Sequence, residues 1–177
     1  IVYETNPDFA GHGDIEGVHA AGDTARVPLV ATDVREGEPA LSPDGRWLAY
    51  VSSDASGRPQ VFVRPFPATR GSKWQVSAEG GTFPQWSHDG KTLFYMGTGW
   101  NARMMAASLT TSPAFRVKGQ TALFRLGPFV RYGIEHTYAV APDDRHFVLT
   151  TTETVDDPVV EMRNWLPEVQ AKLKAQR

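Results

Sequence analysis

Cysteine is absent from the 177 residues of this chain, so disulfide bonds and thiolate metal sites are excluded. No apolar run reaches the roughly 18 residues of a membrane helix, and we expect no membrane insertion of this segment. Neither sign of charge dominates, since the formal net charge is −2, and nothing in that balance points to nucleic acid or an anionic membrane. The lack of cysteine fits both the cytoplasm and the periplasm and does not separate them.

Motifs of phosphate-binding and metal-dependent enzymes are also missing. The sequence has no GxGxxG or Walker loop, no His-Arg-Asp or Asp-Phe-Gly motif and no HExxH pair. Asp8, His12 and Asp14 are residue types that ligate metals, but a polar, glycine-rich connection between strands explains them as well. We therefore predict a chain without metal and without cofactor.

What the sequence does contain is a repeat. The segment "EPALSPDGRWLAYV" (Glu38–Val51) aligns without gaps with "FPQWSHDGKTLFYM" (Phe83–Met96), 45 residues later. A weaker third copy is "YAVAPDDRHFVLT" (Tyr138–Thr150), in which "APDD" replaces "SPDG". Short apolar runs separated by Gly and Pro favour an all-β chain, and a period of 40–50 residues is typical of β-propeller blades.

Each repeat is predicted to contain four strands. The first full unit is Glu38–Leu41, Arg46–Ser52, Gln60–Arg64 and Lys73–Ser77, and the second is Phe83–Trp86, Thr92–Met96, Arg103–Ser108 and Arg116–Leu123. Strands two to four of an incomplete unit precede them, at Ile1–Thr5, Ile15–Ala20 and Val27–Ala31, and further strands follow at Phe147–Thr151 and Val159–Arg163. The total is about 3.5 four-stranded blades in a partial propeller over 1–165. Residues 166–177 form a short C-terminal α-helix and tail, because Leu166, Val169 and Leu173 are at helical spacing.

The Ser87-His88-Asp89 triplet has two interpretations, a hydrolase triad or a hairpin corner. In the first copy Pro43 occupies the place of His88, and a position that accepts proline fills a turn. The glycine that follows supplies the positive φ that such a turn needs. Catalytic triads are assembled from separate segments, so three neighbours in sequence are a poor match. We therefore favour the corner.

The repeat resembles a known family. The segments "PALSPDGRWLAYVS", "VFVRPFP", "KWQVSAEGGTFPQWSHDGKTLFYM" and "VVEMRNW" resemble the WD-like (SPDG-repeat) propellers of the TolB-like family, and most closely the C-terminal propellers of bacterial serine/threonine protein kinases. The resemblance implies a six-bladed ring with a non-enzymatic role in interaction or sensing. We favour a periplasmic or other extracytoplasmic location over a cytoplasmic one.

A propeller of about 3.5 blades is short of the 4–8 that close a ring. Either upstream blades of the same parent chain or a homo-oligomer would complete it, and we favour a fragment of a longer protein. An alternative reading is an accessory propeller domain of a serine peptidase of the prolyl-oligopeptidase type. A glycosidase or lyase channel is less favoured, because Glu38 is the only carboxylate in the recognised first strands.

The candidate binding surface is the face that carries the loops from strand two to strand three and from strand four to the next blade. Loops on a rigid scaffold carry much of the binding in proteins, and Tyr, Trp and Arg anchor interfaces. We expect a protein or small-molecule ligand there, contacted by Arg35, Trp100, Arg103, Phe129, Arg131 and Tyr132. The alternative for Trp100 and Phe129 is local packing against the propeller rim.

Overall fold

The computed structural model describes residues 1–5, 13–19, 25–53, 56–127 and 138–149 of the chain. These ranges contain four antiparallel sheets, which we call blades one to four. Blade one is β1 (Val2–Glu4), β2 (Ile15–Gly17) and β3 (Val27–Val30); blade two is β4 (Glu36–Leu41), β5 (Trp47–Ser53), β6 (Pro59–Pro65) and β7 (Trp74–Gln75). Blade three is β8 (Thr82–Trp86), β9 (Thr92–Met96), β10 (Arg103–Thr110) and β11 (Arg116–Arg125); blade four is β12 (Tyr138–Val140) and β13 (Phe147–Leu149).

The predicted all-β, four-stranded units are confirmed. In blades two and three, the four strands lie side by side in chain order. Registers Tyr3↔Glu16, Tyr50↔Phe62 and Tyr95↔Met105 place three tyrosines at one position of the second strand. Blade one therefore presents strands two to four of a unit, as the repeat predicts.

The core lies between successive blades. Side chains of the second strand alternate in direction, so Leu48 and Tyr50 pack towards blade one while Val51 packs towards blade three. In blade three, Leu93 repeats the direction of Leu48 and faces blade two, while Phe94 faces blade four. Both faces of these strands are thus buried by neighbouring blades.

The Ser-x-Asp-Gly segments form the predicted corners. The Ser42 hydroxyl donates to Asp44 Oδ1 at 2.6 Å and accepts from the Trp47 amide at 3.0 Å. Asp44 accepts from the Arg46 amide at 3.1 Å, and Gly45 has φ +67°. Because the carboxylate and the hydroxyl bond backbone amides inside the hairpin, these residues are committed to the turn.

The second and third corners are variants of the first. Ser87 Oγ donates to Asp89 at 2.7 Å and accepts from the Thr92 amide at 2.9 Å, and Gly90 has φ +68°. In the "APDD" copy, Asp144 adopts φ +56° at the glycine position. Asp and Asn tolerate this left-handed conformation better than most residues, which allows the turn without glycine.

Several strand ends differ from the prediction. In blade one, β2 ends at Gly17 instead of Ala20, and in blade two β7 covers Trp74–Gln75 instead of Lys73–Ser77. The ladder stops there because the Ser77 hydroxyl, not its backbone, accepts the Val61 N–H at 2.9 Å. The predicted strand Val159–Arg163 and the C-terminal helix lie outside the described residues. Within the described ranges, no helix is long and apolar enough to cross a membrane.

Candidate functional site

The face that carries the predicted binding loops holds two cavities between blades two and three, and we call it the loop face. The inner cavity, of about 470 Å³, is lined by Arg35, Glu38, Val51, Phe83, Met96 and Ala102 among others. The outer cavity, of about 350 Å³, is lined by Glu79, Tyr95, Arg103, Met105 and Gln120 among others. The 97–102 loop contributes residues to both cavities. The inner cavity has the size and the mixed apolar and polar lining of small-ligand sites.

Trp100 occupies the tip of that loop. The Ala102 amide donates to the Gly99 carbonyl at 3.1 Å, which closes a tight turn with Trp100 and Asn101 in its middle, and Gly99 has φ +89°. The Trp100 side chain is 97% exposed. Among the described residues it therefore does not pack on the rim, which argues against the local-packing interpretation for Trp100 and leaves a large aromatic surface beside the cavities.

Arg35 reaches the inner cavity from the loop between blades one and two. The buried Glu36 carboxylate fixes this loop by accepting from the Thr32 amide at 3.2 Å and from the Thr32 hydroxyl. Arg35 Nη2 then donates to Glu4 Oε1 at 2.9 Å, and Arg35 remains half exposed. A side chain at Gly37 would place its Cβ 2.5 Å from the Glu4 carboxyl carbon, so only glycine allows this approach.

Glu38 stands at a bulge in β4, where the register with β5 shifts between Gly37 and Ala40. It has φ +54°, and Phe83, 45 residues later, has φ +52° at the matching bulge of β8. Residues other than glycine rarely adopt such a positive φ, and those that do are often found at functional or strained sites. The repeat therefore places the same bulge, with the same positive φ, in the first strand of both blades.

Carboxylates of one blade hold the bulge of the next. Glu4 Oε2 accepts from the Glu38 amide at 3.0 Å, and Glu38 Oε2 accepts from the Phe83 amide. Burial raises the pKa of the Glu38 carboxyl, while the Phe83 amide and Arg35 oppose that rise. A half-buried acid thus lies in the wall of the inner cavity.

Arg103 and Tyr95 belong to the outer cavity. Arg103 begins β10 with an exposed side chain, and its carbonyl accepts from the Gly97 amide at 2.8 Å, which anchors the loop. Tyr95 donates its hydroxyl to Gln120 at 2.7 Å, and burial raises the pKa of Tyr95 to about 12. The tyrosine is therefore a neutral donor at physiological pH.

The Ser87-His88-Asp89 triplet does not converge into a triad. His88 donates its backbone N–H to both Asp144 carboxylate oxygens at 3.0 Å, and its ring Nδ1 lies 2.7 Å from Asp144 Oδ1. The Ser87 hydroxyl is bonded within its own corner. The imidazole thus contacts the next blade's corner instead of the serine, as expected for a structural turn.

The structure brings three of the six predicted binding residues to one face, namely Arg35, Trp100 and Arg103. The other three, Phe129, Arg131 and Tyr132, lie outside the described residues, as do Asp8 and His12. Within the described part of the chain, no group of three metal-ligating side chains converges. Sequence reasoning missed Glu38 as a cavity residue, although its isolated carboxylate in a first strand was a signal.

No family model matches the chain. The Tol-Pal system protein TolB of Alcanivorax borkumensis is 37% identical over 68 residues, which are 36% of this chain and 16% of that protein. The crystal structure of TolB from Acinetobacter baumannii matches 86% of this chain and 35% of that chain, with a TM-score of 0.60 and 12% identity. These likenesses support a TolB-like β-propeller fold.

An acylaminoacyl peptidase from Pyrococcus horikoshii matches 70% of this chain and 26% of that chain, with 14% identity and a TM-score of 0.44. A likeness this weak does not favour the peptidase alternative. The chain spans a small part of its relatives, 16% of the Alcanivorax protein and 35% of the Acinetobacter structure. The activities and partners of these whole proteins therefore do not follow for this chain.

Proposed function

We propose that this chain is a non-catalytic β-propeller interaction or sensor module that binds a protein or small ligand through its loop face. The observation that carries the proposal is Trp100, fully exposed at the tip of a tight turn whose loop lines two cavities. Exposed tryptophan beside a preformed cavity is typical of binding hot spots. Arg35 and Arg103 add a cation to each cavity wall.

The bonding of the reactive-looking residues supports a non-catalytic role. Ser87 is 2% exposed, and its hydroxyl is bonded to Asp89 and to the Thr92 amide. Nucleophilic catalysis needs an accessible hydroxyl beside a base, and the His88 ring is paired with Asp144. The corner side chains thus act as structural elements.

The test is a screen of soluble fragments and short peptides by ¹H–¹⁵N NMR. Binding is read from the amides of Gly97, Gly99 and Ala102 on the loop face, with Gly45 and Gly90 in the corners as the reference. Trp100→Ala is expected to weaken the hits about tenfold, because hot-spot truncations cost at least that much. Arg103→Ala should weaken those that enter the outer cavity.

Lys91→Ala is the matched control, because Lys91 is an exposed cation in a corner, away from the loop face. This variant is expected to bind as the wild type does. Unchanged affinity in both loop-face variants, or hits that shift the corner glycines instead, would remove the loop face as the binding surface.

The wider context belongs to the same proposal. We expect the chain to lie C-terminal to further blades in a bacterial, kinase-linked, extracytoplasmic protein, with those blades or a second copy completing the ring. The encoded sequence upstream of Ile1 tests this expectation. A kinase domain and a membrane span there would support it, whereas a G-x-S-x-G hydrolase domain beside the propeller would favour the peptidase alternative.

A further inference from the structure

The inner cavity contains an acid whose charge is incompletely balanced. Glu38 Oε2 accepts from the Phe83 amide, whereas no donor among the described residues contacts Oε1. Glu38 lines the cavity together with the apolar side chains of Val51, Phe83 and Met96. A carboxylate beside apolar walls loses part of its hydration, and a direct partner restores that stabilisation.

The neighbouring charges are already engaged. Arg35 is the cation in the cavity lining, and its Nη2 donates to Glu4 at 2.9 Å. Arg58 follows Gly57 at the rim, but its side chain runs past Gly80, which lines the outer cavity. Glu4 and Glu38 both interact with Arg35, so two carboxylates share one guanidinium and this cluster at the cavity carries a surplus negative charge.

We propose that the group that enters the inner cavity is an organic cation, a primary ammonium or a guanidinium on an apolar stem, which pairs with Glu38. The inference rests on the proposed function and names the chemistry of its ligand. Oε1 supplies a charge-assisted acceptor, and the apolar walls take the stem. Such a cation is either a free amine or the side chain of a lysine or arginine in a partner.

The 97–102 loop suits the same ligand. Gly99 and Ala102 line the inner cavity, and Trp100 lies between them in sequence with its ring exposed. Tryptophan is the aromatic side chain that attracts cations most strongly through its face. The ring is therefore placed at the rim to attract a cation on its way to Glu38.

The test uses three probes with one apolar body: 2-phenylethylammonium, 2-phenylethanol and 3-phenylpropionate. Affinities are measured by ¹H–¹⁵N NMR titration of the cavity amides of Gly37, Gly57, Gly97 and Gly99. The cation is expected to bind at least about tenfold more tightly than the alcohol, because hydrogen bonds between charged groups are worth that much, and the anion more weakly still. Nα-Acetyl-lysine amide and short lysine peptides then separate a free amine from a protein side chain.

Glu38→Gln is the decisive variant, because its amide oxygen can still accept the Phe83 N–H and preserve the bulge. It should bring the affinities of cation and alcohol to within about twofold of each other. Glu79→Gln, an acid of the outer cavity, is the matched control and should keep the wild-type preference.

The outcomes separate this inference from the proposed function. Equal affinity for the cation and the alcohol in the wild type, tighter binding of the anion, or a cation preference that survives in Glu38→Gln would overturn the inference and leave the loop face as a binding surface. If none of the three probes shifts the cavity glycines while other fragments do, the cation inference alone is lost. If nothing binds the loop face, both are lost.

Discussion

Blades two and three share their corners and second strands but differ in their outermost strands. Blade two ends in β7, two residues long, whereas blade three ends in β11, ten residues long. Prolines near the end of β6 and a long-range hydrogen bond together account for the contrast. In blade two, β6 ends at Pro65 and Pro67 follows inside the connection, so both positions lack a backbone donor; beyond β7, the Ser77 side chain accepts the Val61 N–H in place of a ladder carbonyl. In blade three, the corresponding connection is short and the ladder continues through two bulges.

The inner strands of the two blades differ in a second way. Glu38 and Phe83 share the same backbone conformation at matching bulges, but one position carries a carboxylate and the other an aromatic ring. Their side chains meet at the inner cavity. The repeat thus fixes a backbone position and leaves its side chain free to vary, and the difference between neighbouring blades creates an asymmetric cavity.

Truncation of the buried leucine on each second strand gives the largest expected effect. Leu93→Ala should lower the free energy of unfolding by about 3–5 kcal/mol, because Leu93 is fully buried in the large cluster between blades two and three. Leu48→Ala should cost about 2–3 kcal/mol. Leu48 lies in the smaller cluster between blades one and two, where fewer buried side chains surround the space left by the truncation and the site can collapse more easily. Urea denaturation measures both values.

The matched control for this pair is Leu123→Ala on β11, where the leucine is 42% exposed and the cost should stay below about 1 kcal/mol. Equal losses of stability in Leu48→Ala and Leu93→Ala would show that the interface of blades one and two and the interface of blades two and three collapse to the same extent around a missing side chain. That result would break the proposed contrast between them.

Substitution of the corner serine gives the next largest expected effect on the free energy of unfolding. Ser42→Ala and Ser87→Ala should each cost about 1–2 kcal/mol, because each removes a buried hydroxyl that accepts from a backbone amide. Blade four has Ala141 at this position, and there Asp143 itself accepts from the His146 amide at 3.1 Å. Ala141→Ser should therefore change stability by less than about 0.5 kcal/mol.

Thermal unfolding of the three corner variants checks this expectation. If Ser42→Ala and Ser87→Ala differ by more than about 1 kcal/mol, the two corners are not equivalent. If Ala141→Ser stabilises the protein as much as the other two changes destabilise it, the carboxylate does not replace the serine.

The fold could be predicted because its signals are local. The positive φ of Gly45 and Gly90, the proline–histidine exchange and the alternation of apolar residues in the second strands all follow from the repeated 14-residue segment. The length of β7 could not be predicted, because it depends on a hydrogen bond between Ser77 and Val61, which are 16 residues apart.

The candidate site was less predictable than the fold. The loop face and the positions of Trp100 and Arg35 follow from the blade topology. The cavity role of Glu38 does not, since it requires that a glutamate adopt a left-handed φ at a bulge and contact the next blade. Sequence patterns favour glycine for that conformation, so tertiary contacts outweigh the local preference here.

Substitution of the corner aspartates, Asp44 and Asp89, gives the smallest expected effect on stability and the one that depends most on pH. Hydrogen bonds from Ser42 and Arg46 lower the pKa of the Asp44 carboxyl to about 2, below its usual value of 3.8. An acid with a lowered pKa in the folded state stabilises the protein above its unfolded pKa and loses that contribution as the pH falls towards the folded value. Asp44→Asn should therefore cost about 0.5 kcal/mol after solvent screening at pH 7, and the difference from the wild type should shrink between pH 4 and pH 2.

Asp89→Asn sharpens the comparison between the corners. Its pKa is also lowered, first by the Lys91 amide and then by the Ser87 hydroxyl, but Lys91 Nζ lies 3.7 Å away, whereas Arg46 Nε bonds Asp44 at 2.8 Å. The pH-dependent part of the difference should thus be smaller in blade three than in blade two. Melting temperatures from pH 7 down to pH 2 measure this part. A larger pH dependence in Asp89→Asn than in Asp44→Asn would mean that Arg46 does not control the titration of the blade-two corner.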